Sequence, residues 1–157
     1  MRKRMLSFII LLAIFISICS SSTAYAANTE VVDKGIIIGV EEYDDYTIIT
    51  SLKIEQTLMR GSSKTATKSY SCLSNGKVLW SFTLKATFTY NGSSAQCTAA
   101  SCSNIINDKA WSLSTSASRS GSMASGSVTA KEKYFGITTS TISKTLTLKC
   151  NASGNIS

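Results

Sequence analysis

Val78-Leu79-Trp80-Ser81-Phe82-Thr83-Leu84-Lys85-Ala86-Thr87-Phe88-Thr89-Tyr90 alternates between two kinds of side chain. Period two puts Val78, Trp80, Phe82, Leu84, Ala86, Phe88 and Tyr90 on one face of an extended chain. Leu79, Ser81, Thr83, Lys85, Thr87 and Thr89 fall on the other. A helical period would scatter the large apolar residues around the axis, so the stretch reads as a strand that builds core. Its apolar phase is long and its interior uncharged on that face, which suits a central strand rather than an edge.

The same logic extends outward. Ile142, Leu146, Leu148 and Cys150 alternate with Ser143, Thr145, Thr147 and Lys149, and Trp111 with Leu113 begins a further strand. Strands are expected over Tyr46–Leu58, Ser63–Leu73, Val78–Tyr90, Ser94–Ser103, Trp111–Ser118, Ser122–Tyr134 and Thr138–Cys150. Between them stand Arg60-Gly61, Ser74-Asn75-Gly76, Asn91-Gly92, Asn107-Asp108, Ser120-Gly121 and Phe135-Gly136. Proline is absent, so Gly, Asn and Ser must make the turns. About seven short strands with frequent turn signals predict an all-β, antiparallel, immunoglobulin-like β-sandwich over residues 46–157.

Turn chemistry suggests registers. A two-residue type I′ turn at Asn91-Gly92 would set Phe88 opposite Ala95 and Ala86 opposite Cys97, with Cys97 facing the core. A three-residue Ser74-Asn75-Gly76 turn with a G1 bulge would set Cys72 opposite Val78 and Tyr70 opposite Trp80. These registers constrain the cysteines. Cys72 and Cys97 would then lie eight strand residues apart, about 26 Å, whereas a disulfide needs Cα atoms within about 7 Å. Cys97 and Cys102, five apart on one strand, are also too distant. Elimination leaves Cys72–Cys102 with Cys97–Cys150, although Cys102 falls on the outward face in this register; buried free thiols are the alternative.

The N-terminus carries Met1-Arg2-Lys3-Arg4, an apolar run from about Phe8 to Ile18, and Ala24-Tyr25-Ala26. This order is that of an export signal, with cleavage expected between Ala26 and Ala27. The run is short of the roughly 20 residues a membrane-spanning helix needs. A lipoprotein signal at Cys19 is disfavoured because Ile18, not a small residue, precedes it. Cys72, Cys97, Cys102 and Cys150 then remain, an even number that fits disulfide pairing in an exported chain. Removing 26 of the 157 residues leaves 131, enough for one domain.

Charge divides the remainder. Residues 27–46 hold Lys34 against Glu30, Asp33, Glu41, Glu42, Asp44 and Asp45, for a net −5. Residues 47–157 hold 12 bases against Glu55, Asp108 and Glu132, for a net +9. Residues 27–45 therefore read as an acidic, partly disordered leader, in which Ile36-Ile37-Ile38 offers a short edge strand. The basic body suits an anionic cell-wall polymer or membrane surface. Nucleic acid is disfavoured, since no basic cluster is interleaved with aromatics. Histidine is absent, which excludes Ser-His-Asp and Cys-His catalysis. No metal-ligand spacing is present either: there is no Cys-x-x-Cys, and Glu41–Tyr46 lacks a calcium-loop pattern. No cofactor and no catalytic residue are assigned.

Ser69-Tyr70-Ser71-Cys72-Leu73-Ser74-Asn75-Gly76, Leu79-Trp80-Ser81-Phe82 and Ala86-Thr87-Phe88-Thr89-Tyr90-Asn91-Gly92-Ser93-Ser94 together form a pattern. With Cys97, Trp111 and Leu146-Thr147-Leu148-Lys149-Cys150-Asn151, it resembles a group of small exported all-β proteins of Gram-positive bacteria that have no assigned function. The resemblance spans Lys68 to Ser157, and Cys102 stands outside it. It implies export and a β architecture, and it carries over no catalytic residue. The expected role is a secreted, non-enzymatic interaction or adhesion module at the cell surface. The competing expectation is a secreted membrane-active effector, toxin or antimicrobial. It rests on the basic body and on the Ser/Thr-alternating hairpin around Gly121, a pattern that can line pores.

Overall fold

Among the described residues, eight strands follow one another in a meander. The computed structural model describes residues 35–56 and 62–157. The strands are β1 (Ile36–Glu42), β2 (Thr47–Gln56), β3 (Ser63–Ser74), β4 (Lys77–Tyr90), β5 (Ala95–Ile106), β6 (Trp111–Ser120), β7 (Met123–Tyr134) and β8 (Ile137–Lys149). They form two antiparallel sheets, β1-β2-β3-β4-β5 and β6-β7-β8. Among the described residues there is no helix. The seven expected strands appear as β2 to β8, and the Ile36-Ile37-Ile38 patch lies in edge strand β1. The signal segment with its cleavage position Ala26/Ala27, the first part of the acidic leader and the Arg60-Gly61 turn lie outside the described residues.

Connectivity corrects the immunoglobulin-like expectation. Every hydrogen-bonded neighbour in both sheets is also a sequence neighbour. An immunoglobulin arrangement needs Greek-key connections that return a strand to a distant partner. Alternation along each strand is the same in both architectures, so the sequence pattern does not separate them.

The alternation of β4 is realised as burial. Trp80, Phe82, Leu84, Ala86 and Phe88 are buried, and Trp111, Ala124, Val128, Ala130, Ile142, Leu146 and Leu148 meet them from the second sheet. The Trp80 and Trp111 rings pack at 6.0 Å. Neither indole N–H finds an acceptor among the described residues. β4 is flanked by β3 and β5, as its long apolar phase requires.

The hydroxyl-rich outer faces pair across the strands. Thr65 bonds Thr87 and Ser69 bonds Thr83, each at 3.0 Å, on one sheet. Ser127 bonds Thr145 at 3.2 Å and Thr129 bonds Ser143 at 3.3 Å on the other. Such pairs each contribute a fraction of a kcal/mol, roughly 0.2–1, which gives the abundant Ser and Thr a structural role.

Two seams join the sheets. Along the first, β3 side chains donate to the edge of β8 and the chain after it. The Tyr70 hydroxyl bonds the Thr145 carbonyl at 3.1 Å, Lys68 Nζ the Thr147 carbonyl at 3.2 Å, and Lys64 Nζ the Gly154 carbonyl at 2.7 Å. These donors cover an edge that would otherwise offer bare carbonyls to another strand. Along the second, Arg119 of β6 donates to the Cys97 and Thr98 carbonyls of β5, and the Cys97 N–H bonds the Gly121 carbonyl at 2.8 Å.

Both expected hairpin registers are corrected. At β3–β4 the turn holds only Asn75 and Gly76, with φ of 49° and 76°. Leu73 pairs with Val78 and Cys72 with Trp80, so Leu79 is the extra residue of a bulge. The bulge keeps Cys72 and Trp80 on one face, the face that a three-residue turn would also give them, but with Cys72 opposite Trp80 instead of Val78. At β4–β5, Asn91 does not sit in a two-residue turn. Its side-chain Oδ1 accepts the Ser93 and Ser94 N–H groups at 3.0 and 2.8 Å, closing a four-residue loop. Phe88 then pairs with Cys97, and a bulge at Thr98 sets Leu84 opposite Cys102. Asn can cap its own loop in this way at no backbone cost, and that option competes with the type I′ turn.

Candidate functional site

The corrected registers relocate the cysteines. Cys72, Cys97 and Cys150 are buried, Cys102 is half-buried, and all four are free thiols. Cys72 and Cys102 stand on opposite sides of β4, against Trp80 and Leu84 respectively. Four strand residues along and two strand spacings across separate them by about 16 Å, more than twice a disulfide's reach. The expected Cys72–Cys102 pairing is therefore corrected. Cys97 faces the core, as expected, and Cys102 faces inward rather than outward, its Sγ directed at the Ser116 carbonyl at 3.4 Å. Cys97 and Cys150 share a turn: their N–H groups bond the successive carbonyls of Gly121 and Ser122.

Burial pushes all four thiols up, Cys72 to about 12. Arg119 beside Cys97 and Lys64 beside Cys150 act in the opposite sense without reversing the direction. These thiols are thus poor nucleophiles at neutral pH. The unfolded thiols ionise near pH 9 and the folded ones above it. Stability is then fully present below about pH 9 and falls as pH rises toward 12, where the unfolded chain binds fewer protons. Burial of the Tyr70 hydroxyl acts in the same direction. Melting temperature should hold up to pH 9 and drop between pH 9 and 11, with a shallower drop in Cys72→Ala. A flat profile to pH 11 would contradict the burial of these groups.

The acidic segment is engaged by the basic body. Lys144 of β8 donates to both the Glu41 carboxylate and, at 3.0 Å, the Tyr43 hydroxyl. Tyr43 in turn donates to Glu41 at 2.8 Å and stacks on Tyr46 at 4.6 Å. The hydrogen bond from Lys144 is the main cause that holds the Glu41 carboxyl below its ordinary range. Among the described residues, no group of three or more Cys, Asp or Glu side chains is arranged to hold a metal ion.

The hairpin around Gly121 is built into the sandwich. Ala124, Val128 and Ala130 of β7 are buried in the common core, so its alternation serves packing in this structure. The exposed apolar surface lies elsewhere. The β1–β2 edge carries Ile36, Ile37, Ile38, Val40 and Ile54. At the β7–β8 turn, Tyr134, Phe135 and Ile137 are 68%, 89% and 71% exposed. Lys131 and Lys133 flank that turn on β7, and Lys109 lies in the neighbouring loop, where the Lys133 N–H bonds the Ala110 carbonyl at 2.8 Å. Sequence reading marked Phe135-Gly136 as a turn and missed the surface. The signal was present as Lys-x-Lys-Tyr-Phe-Gly-Ile, an aromatic pair at the least protected point of a hairpin.

No family model, curated protein or solved structure matches the chain.

Proposed function

We propose that the chain is an exported, non-enzymatic binding module that works at or near a cell surface, with an anionic polymer or membrane as its partner class. The observation that carries this reading is the β7–β8 turn, where Tyr134, Phe135 and Ile137 stand in solvent beside Lys131 and Lys133. A stable fold gains nothing by exposing such a group, and exposed apolar patches mark sites of contact. The net +9 of residues 47–157 adds long-range attraction toward anionic surfaces. The N-terminal Arg2-Lys3-Arg4 and the Phe8–Ile18 run supply the export route.

The exported protein, mixed with whole cells or isolated walls, should sediment with them at low salt and be released as salt rises through about 0.5 M, because exposed charges are screened over a few ångströms there. Protein that stays in the supernatant at low salt would refute the reading.

The second reading, a membrane-active effector, is favoured by the same apolar turn. It adds a requirement the first does not have, since the β6–β7 hairpin would have to leave a core that buries Ala124, Val128 and Ala130. Dye release from anionic vesicles separates the two, as a binding module adheres without leakage.

A further inference from the structure

Two hairpin turns of this fold share one geometry and differ in the first of their two central residues. In β3–β4 the turn is Asn75-Gly76, with φ of 49° and 76°; in β7–β8 it is Phe135-Gly136, with φ of 49° and 81°. Each is followed by a bulge at the same offset, Leu79 in one hairpin and Thr139 in the other. Positive φ at both central residues is the type I′ requirement, and Asn-Gly is its preferred pair. Asn tolerates the left-handed region, whereas a bulky residue there is strained. Asn75 and Phe135 are the only non-glycine residues with positive φ among those described.

Phe135 therefore occupies a position its own backbone disfavours, and it is 89% exposed once there. Its aromatic contact is the exposed Tyr134, edge-on at 4.5 Å. Local geometry and packing both argue for Asn at this position. The side chain is explained by something that meets it from outside.

We infer that the β7–β8 turn is a membrane-contacting tip, in which Phe135, Tyr134 and Ile137 enter the interface of an anionic bilayer while Lys131 and Lys133 meet lipid headgroups. This rests on the surface-binding reading above and names its partner. Aromatic rings and short aliphatic side chains partition to the bilayer interface, and lysines near an anionic leaflet each add attraction. The shape of the tip favours a bilayer over a protein. A two-residue turn is convex and narrow, far from the roughly 800 Å² per partner that a stable protein interface buries. Lipids close around a protrusion without needing a shaped partner. The placement of charge agrees: Glu41 and Tyr43, at the end of β1 and in the turn after it, bond Lys144, seven residues further along β8 than Ile137 and about 23 Å from the tip. On the hairpin itself the one carboxylate, Glu132, accepts the Thr139 hydroxyl at 3.2 Å.

The test uses the exported protein with vesicles of phosphatidylcholine, with and without 30% phosphatidylglycerol, read by co-sedimentation alongside melting temperature. The parent should bind the anionic vesicles and leave the neutral ones. Phe135→Asn copies the sister turn, so it should raise the melting temperature by about 2–5 °C while weakening anionic-vesicle binding about tenfold. A structural role for Phe135 would instead lower the melting temperature, and that result overturns the proposal. Ile137→Ser, which leaves the turn intact, should also weaken binding. Lys131→Gln with Lys133→Gln should cost about fivefold for each charge removed. Equal binding to neutral and anionic vesicles, or parental binding by Phe135→Asn, overturns the proposal. Sedimentation with isolated walls without vesicle binding overturns the bilayer assignment alone. Loss of both overturns the surface-binding reading with it.

Discussion

Replacing Trp80 with alanine is expected to destabilise the fold by roughly 3–5 kcal/mol, the range for truncating a buried aromatic. Trp80 is fully buried, packs on Trp111 at 6.0 Å and pairs with Cys72 and Ile106 across β4. Truncation leaves a cavity at the junction of both sheets. Such a loss is a large share of the 5–15 kcal/mol that a domain of this size commands, so thermal unfolding should fall by more than about 10 °C. Trp80→Phe separates the causes. It keeps most of the ring volume and removes an indole N–H that has no acceptor among the described residues, so it should cost far less than alanine. A Trp80→Ala protein as stable as the parent, or equal losses for both variants, would show that the ring does not fill the core as described.

The second large effect is expected at Gly126. This residue pairs with Ala117 and Leu146 on the core face of β7, between Ala124 and Val128. A Cβ there would stand 2.7 Å from Cys102 Sγ, 3.1 Å from Phe82 Cζ and 3.2 Å from Leu84 Cδ1. The glycine thus lets the two sheets approach, and its role is one of space rather than backbone conformation. Gly126→Val should improve local strand propensity and still destabilise by about 1–3 kcal/mol, because overpacking forces side chains off their rotamers. Cys102→Ala removes the nearest atom and should restore part of that loss in the double variant. Melting curves of the four proteins give the coupling; additive losses would mean that the sheets are further apart at this point than they are here.

Cys102 shows how far sequence alone reaches. Local alternation determined which residues of β4 and β8 face inward, because period two is a property of the extended chain itself and needs no partner. It also determined the all-β class and the central place of Val78–Tyr90, whereas the inward aim of Cys97, expected from a two-residue turn, is reached through a different register. The exposed tip was written in the sequence as well, since Tyr134, Phe135 and Ile137 surround a recognisable turn. Tertiary structure decided the register. A bulge at Leu79, a bulge at Thr98 and the self-capping of Asn91 each shift the pairing, and a one-residue shift turns every following side chain to the other face. Cys102 was thereby moved from the outside to the inside and kept away from Cys72. The meander in place of Greek-key connections, the cover that Lys64, Lys68 and Tyr70 give to β8 and the chain after it, and the space kept by Gly126 were also decided in three dimensions. Each depends on which distant strand arrives alongside, and pairing energies between distant strands leave no periodic mark on the chain.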